Sequence, residues 1–285
     1  MNINFTKYHG AGNDFLIFLE EEIKDVELCD LAKKACDRTT GIGADGILIC
    51  RKDPLSMEII NSDGSGASMC GNGIRCFSAY CIDEGIVSEL TFSIQTGAGE
   101  MITTVLDKSP FICEIDMGKP DWSADAAGIR FDDSEDFFEK NITMPNGDEI
   151  QSSCLFMGTS HTVVWIDQDG DLSLPSIEDE KGLEAFGRIM HNLPIFPQCT
   201  NVNMAVMSGK DEIMVRTYER GAGMTAACGT GACATAVVAN RQGKVGKDII
   251  VKLLMGKLNI RLDSDGAVHM AGPAVRIASG VYEYI

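Results

Sequence analysis

MCGNGIRC (Met69–Cys76) and ACGTGAC (Ala227–Cys233) state one pattern twice: a cysteine set directly before Gly-x-Gly. The repetition extends outward from both. Ahead of Cys70, MEIINSDGSGAS is an apolar run that breaks into a Gly/Ser/Asp loop; ahead of Cys228, IMVRTYERGAGMTA breaks at Gly221 and Gly223. Both predict a strand and then a loop. Behind each cysteine a stretch of small and apolar residues, GIRCFSAYCIDE and GACATAVVANRQ, is compatible with a helix. Each stops at a glycine fifteen residues past its cysteine, Gly85 and Gly243, where glycine is the usual left-handed cap. Strand-like sequence follows, SELTFSIQT and KDIIVKLLM. The chain is therefore expected to carry an internal duplication, strand, loop, cysteine, helix, strand, and with it two similar domains.

Both helices are apolar on most faces. Ile74, Cys76, Phe77, Ala79, Tyr80 and Cys81 leave almost no polar stripe, and Ala232 to Ala239 leaves less, so each helix is expected to be buried all round. The short alternating runs ILIC, MEII, LTFSI, MITTVL, HTVVWI, EIMVRTY and LNIRL supply strands. The expected class is α/β (α+β), with two pseudo-symmetric domains, each a curved mixed sheet wrapped around a central apolar helix. The Gly and Pro of DMGKPDW (Asp116–Trp122) interrupt the pattern and mark the boundary. Domains of 1–117, joined by a C-terminal strand 274–285, and of 118–273 follow.

Composition narrows the functions open to such a chain. At 285 residues, 45% hydrophobic and 23% charged, a soluble globular protein is expected. No apolar run approaches the ~20 residues that span a bilayer, and MNINFTKYHGAGNDF lacks the charged-then-apolar order of a secretory signal. The expectation is a cytoplasmic protein with no membrane partner. Cysteines number 11, an odd count, and several lie inside apolar runs, as reduced thiols do. A formal net charge of −18 repels nucleic acid and anionic membrane surfaces and points to a small-molecule partner. The densest acidic run, Asp132 to Glu139, reads as solvated surface.

A cysteine at a helix N-terminus meets unpaired N–H groups and the positive end of the dipole, which lower a thiol pKa. The same N–H groups, with glycine removing the Cβ that would block approach, can cradle a carboxylate. Two such motifs on opposite faces of an amino acid's α-carbon would let a thiolate remove the α-proton while a thiol returns one from the other side. That is epimerisation without a cofactor. The doubled helix ends suit the dianionic charge that develops when a proton α to a carboxylate is removed.

YHGAGNDF, TGIGADG, NSDGSG, MCGNGIRC, FPQCTNVN and ERGAGMTAACGTGAC, in this order and across nearly the whole chain, are similar to the diaminopimelate epimerase family. The resemblance implies two α/β domains, each a sheet curled round a central helix. It implies a pyridoxal-independent interconversion of LL- and meso-2,6-diaminopimelate in lysine and peptidoglycan synthesis, with no cofactor and no metal. Cys70 and Cys228 are implied as the acid/base pair. Gly71, Asn72, Gly229 and Thr230 would hold the reacting-end carboxylate, with Asn13 lining the same site. Asn61, Asn201, Glu219 and Arg220 would grip the far end, the arginine as a planar fork on its carboxylate and the glutamate on its ammonium. His161, together with Glu219, is implied as a modulator of the thiol pKa values. A homodimer is a further expectation.

Plainer roles exist for the same letters: Asn61 as a turn cap, Arg220 in a surface ion pair, His161 as a packed side chain. Two departures from the family bear on specificity. Gly158-Thr159-Ser160-His161 stands where many members have Gly-Asn-Pro-His, and Gly46 where some have glutamine. A racemase of another amino acid, such as histidine, therefore stays open, although Glu219 and Arg220 together favour a substrate with an amino-acid group at each end. A zinc or iron–sulfur protein, or a thiol–disulfide oxidoreductase, would want C-x-x-C, which does not occur. A non-catalytic amino-acid-binding module has no use for two activated thiols. Two buried cysteines capping core helices would explain Cys76, Cys81 and Cys233, but neither the glycines after Cys70 and Cys228 nor their repetition.

Overall fold

A computed structural model of the chain describes residues 1–131, 136–166 and 174–285. The chain divides into two compact units, Met1–Asp116 with Ala271–Ile285, and Met117–Met270. Both are sheets with few helices.

In the first unit, strand Asn13–Leu19 runs antiparallel to Asn2–Gly10 and parallel to Gly46–Lys52, which turns back as Leu55–Asn61. The last strand of the chain, Val275–Glu283, pairs antiparallel with the first. After the short strand Gly66–Ala67 comes the helix Gly71–Asp83, then Thr91–Thr96, parallel to Leu55–Asn61, and the hairpins Gly99–Lys108 and Phe111–Asp116. Residues Gly71 through Cys81 are all buried, and the helix touches strands from six places in the sheet. A helix with no polar stripe can be stable only where every face meets the sheet. Strands Asn13–Leu19 and Gly46–Lys52 are apolar on both faces for a related reason. Phe15 and Leu48 look inward to the central helix. Their alternates Leu16, Phe18, Ile47 and Ile49 pack outward, on a second, amphipathic helix, Leu28–Cys36.

The second unit repeats this order. Ser160–Trp165 is antiparallel to Glu149–Phe156 and parallel to Asn201–Gly209, which turns back as Glu212–Glu219 and then Gly223–Thr225. The helix Gly229–Arg241 follows, then Asp248–Leu253, parallel to Glu212–Glu219, and Gly256–Leu262. Here the outer helix is Glu180–His191, which lays Leu183, Phe186 and Met190 on Val164, Val202 and Met204. The duplication read from the cysteines thus extends to the parallel and antiparallel sense of each ladder. Both central helices end alike. The Ile86 N–H reaches Cys81 O and the Gly85 N–H reaches Ile82 O; Lys244 to Ala239 and Gly243 to Asn240 repeat the pair. These are Schellman caps, with Gly85 and Gly243 at φ of 66° and 70°.

The acidic run is not solvated throughout. Of the acidic run Asp132 to Glu139, the first four residues lie outside the described residues, and Phe137 is not solvated: it is 1% exposed, in the second unit's core, edge-on to Phe131. Phenylalanine burial outweighs the run's charge at that position.

Candidate active site

Cys70 occupies the N-cap of the first central helix, with extended backbone (φ −142°, ψ 120°), and its sulfur accepts the Gly73 N–H at 3.4 Å. It is half-buried. A thiol here takes the place usually filled by a serine or aspartate oxygen. Asn13 arrives over a two-residue hairpin turn, Ala11–Gly12, with positive φ at both residues (54° and 92°). The Asn13 Oδ1 lies 3.6 Å from Cys70 Sγ and 3.3 Å from Asn72 Nδ2, while Asn13 Nδ2 donates to Asp45 at 2.6 Å. Asp45 also accepts from Arg38 at 2.8 Å and from the Asp14 N–H at 3.1 Å. Asn72 Oδ1 accepts from Arg75 at 2.7 Å, and the fully buried Arg75 donates further to Gly71 O and Pro273 O. Asn61 pairs with Gly46, the residue after Asp45. It donates to Ser65 Oγ at 3.0 Å and closes the turn at the end of its strand.

In the second unit Cys228 caps its helix in the same way (φ −120°, ψ 109°), accepting the Gly231 N–H at 3.4 Å, with Thr230 Oγ1 at 3.5 Å. It is 5% exposed. Glu219 bonds both the Thr225 hydroxyl and the Cys228 thiol. Burial raises the Glu219 carboxyl above its ordinary range, against the pull of those two bonds. Burial, and then the Glu219 charge, push the Cys228 thiol well above the ordinary thiol value, despite the Thr230 hydroxyl and the Gly231 N–H. The helix end was expected to lower this thiol's pKa. Desolvation and a neighbouring carboxylate outweigh the dipole here, so Cys228 holds its proton in the free protein.

Arg220 donates to Thr159 Oγ1 at 3.4 Å and to Gln198 O at 3.3 Å. Both are neutral, which leaves the guanidinium without a carboxylate among the described residues. Asn201 braces it, accepting the Arg220 N–H at 2.8 Å and donating to Ser160 O at 3.0 Å.

Beneath Cys228 lies a buried polar floor. Thr217 Oγ1 donates to Asn203 Oδ1 at 3.1 Å, and Asn203 Nδ2 donates to Thr162 O at 3.2 Å and to His161 Nδ1 at 3.1 Å. That sets the His161 proton on Nε2, which has no hydrogen-bond partner among the described residues although the ring is fully buried. Burial, then Arg220, push the His161 pKa down to about 3. An unmet buried donor costs ~1–3 kcal/mol, which a bound acceptor would return. The first unit differs at the same places. Asn203 pairs with Thr217 eleven residues before Cys228; Leu48 pairs with Ile59 eleven residues before Cys70. His161 beside Asn201 corresponds to Phe15 beside Gly46.

The structure therefore gathers Asn13, Cys70, Gly71 and Asn72 in one unit, and His161, Asn201, Glu219, Arg220, Cys228, Gly229 and Thr230 in the other. Asn203, Thr217, Asp45 and Arg75 join these clusters beyond the residues expected from the sequence. The strand alternation in FPQCTNVN, which puts Asn203 on the face of Asn201, was the available signal for the first of them. At each helix start the N–H groups over Gly71 and Asn72, or Gly229 and Thr230, suit a carboxylate, next to a sulfur that can exchange a proton.

The sequence matches the family model described as Diaminopimelate epimerase over residues 5–123 and 153–277. It is 36% identical to the diaminopimelate epimerase of Alkaliphilus metalliredigens over 99% of this chain and 98% of that one. It is 38% identical to that of Clostridium perfringens, over 98% and 99%. Among solved structures the fold resembles a hydroxyproline epimerase from Agrobacterium vitis (TM-score 0.66, 15% identity, 99% of this chain and 92% of that one). It also resembles a methylitaconate-delta-isomerase (TM-score 0.65, 13% identity, 99% and 95%).

Proposed function

The chain belongs to the diaminopimelate epimerase family, and we propose that it interconverts LL- and meso-2,6-diaminopimelate with Cys70 and Cys228 as its two proton-transfer groups. One observation carries the assignment: a cysteine at the N-cap of a buried helix, its sulfur accepting an N–H at 3.4 Å, built twice on the same ladder order. Inversion at carbon requires a proton to leave one face and another to arrive at the opposite face. The cysteine acting as thiolate takes the α-proton and becomes a thiol; the other thiol gives its proton to the carbanion and becomes a thiolate. The pair ends with its roles exchanged and the reverse reaction resets it.

The helix-start N–H groups bind the reacting-end carboxylate and stabilise the charge that builds on it. Glu219 and His161 tune the thiols, and the unmet His161 Nε2–H supports a role toward a bound acceptor. Arg220, bonded among the described residues only to neutral oxygens, binds the distal carboxylate. Thr159, in place of the family asparagine, keeps a contact with that guanidinium. The reaction draws on no cofactor. The same reading includes a homodimer, to be tested by sedimentation equilibrium, and the cytoplasm, where 11 free thiols persist.

The test is NMR in D2O of reduced protein, without added pyridoxal phosphate, on LL-diaminopimelate and separately on L-histidine. Deuterium entering the α-position of diaminopimelate with formation of the meso isomer is expected, and its loss in both Cys70→Ser and Cys228→Ser. Exchange into histidine alone would reassign the substrate while retaining the two-thiol chemistry. Unaltered turnover in either serine variant would remove that cysteine from the mechanism.

A further inference from the structure

Resting on the assignment of Cys70 as a proton-transfer group, we propose that Asp45 and Arg75 are positioning residues that fix the polarity of the Asn13 and Asn72 amides, so that Cys70 faces a hydrogen-bond acceptor. The bonds form one directed chain. Arg75 Nη2 donates to Asn72 Oδ1 at 2.7 Å, Asn72 Nδ2 to Asn13 Oδ1 at 3.3 Å, and Asn13 Nδ2 to Asp45 Oδ2 at 2.6 Å. An amide carries donors at one end and an acceptor at the other, with nearly the same shape either way round. The two ends of this chain remove the choice, because a guanidinium only donates and a carboxylate only accepts. Flipping Asn72 would set its NH2 against Arg75, and flipping Asn13 would set its oxygen against Asp45. The Asn13 oxygen is therefore held 3.6 Å from Cys70 Sγ. There it can accept from S–H but offers nothing to a thiolate.

Cys70 is thus under opposed influences. The Gly73 N–H and the helix N-terminus favour the thiolate; the Asn13 oxygen favours the thiol. Two-base inversion needs such a balance, since each sulfur must be base in one direction and acid in the other. In the second unit a carboxylate, Glu219, restrains the thiol's ionisation. The position nine residues before Cys70, matching Glu219 before Cys228, holds the neutral Asn61. The first unit applies its restraint through Asn13 instead. Charged groups of this unit around the cluster include Asp45 and Arg38, Asp14 and Lys7, and Arg75 on the helix itself.

The measurement is the pH dependence of iodoacetamide alkylation of Cys70, resolved by peptide mass spectrometry on the full-length protein. It needs no turnover, so it stands whether or not diaminopimelate is the substrate; failure of Cys70→Ser to lose turnover would remove the functional reading and leave these midpoints unchanged. Asn13→Leu alters no charge and is expected to lower the Cys70 midpoint by about one pH unit, the size of one net hydrogen bond. Asp45→Asn is expected to lower it as well. The variant removes the charged acceptor of Asn13 Nδ2, so the Asn13 oxygen is no longer held on the sulfur. In the double variant the two shifts should not add. An unmoved midpoint in Asn13→Leu overturns the acceptor role; additive shifts overturn the route through Asn13, because they show that Asp45 acts by charge alone. Should the thermal transition show Asp45→Asn unfolded, Asp45→Ser takes its place in the same cycle.

Discussion

Gly73 and Gly231 stand three residues after their cysteines, yet a Cβ would meet different surroundings at each. On Gly231 it would lie 2.3 Å from Asn203 Oδ1 and 3.2 Å from both Cys228 Sγ and Thr217 Oγ1; on Gly73 it would lie 3.3 Å from Cys70 Cβ, 3.5 Å from Leu48 and 3.6 Å from Phe15. Gly231→Ala must displace Asn203, and with it the partner of His161, so a loss of about 2–3 kcal/mol is expected. Gly73→Ala should fall within about 1 kcal/mol of neutral, since alanine's helix preference offsets a tight contact. Urea denaturation of both variants checks the contrast. The Cys228 thiol is raised by burial and by Glu219. Glu219→Gln removes the charge and leaves the burial, so the midpoint for Cys228 alkylation should move down while staying above the ordinary thiol value. An unmoved midpoint would assign the whole shift to burial.

The two central helices share an ending as well as a beginning. Among the described residues nothing lies within 4 Å of a Cβ built on Gly85 or Gly243, so their glycines are required by backbone conformation and not by space. Gly85→Ala and Gly243→Ala should each cost about 1 kcal/mol, the left-handed penalty for an L-residue, with near-equal values in chemical denaturation because the two caps have the same bonds. A markedly larger cost at one would reveal a packing demand that the paired caps do not account for. The helix shafts need not behave alike: the second, rich in alanine and glycine, sits over a polar floor, and the first over Phe15 and Leu48.

For the molecule as a whole, His161 couples folding to pH. Its folded value near 3 lies below the ordinary 6.5, so between these limits the unfolded chain binds a proton that the folded one does not. Stability is fully present above pH ~6.5 and is lost as pH falls toward about 3, at up to ~1.4 kcal/mol per pH unit from this residue. The thermal midpoint of the parent protein should drop over that range, and His161→Gln, which cannot titrate, should show a shallower acid branch. Equal slopes would assign the acid loss to carboxylates. Much of this molecule was legible in its sequence. The repeated Cys-Gly-x-Gly, the helix between cysteine and glycine, and the all-apolar helix faces follow from local spacing and periodicity, which short-range geometry turns directly into elements. Local spacing carries the duplicated fold and the placing of each cysteine at a helix start. What each cysteine stands on is set by long-range pairing. Leu48 with Ile59, and Asn203 with Thr217, come together through ladder pairing, and Asp45, Asn13 and Arg75 through a loop, a strand and a helix. The sign and size of a thiol's pKa shift depend on such neighbours and on burial, neither of which is a local property of the chain.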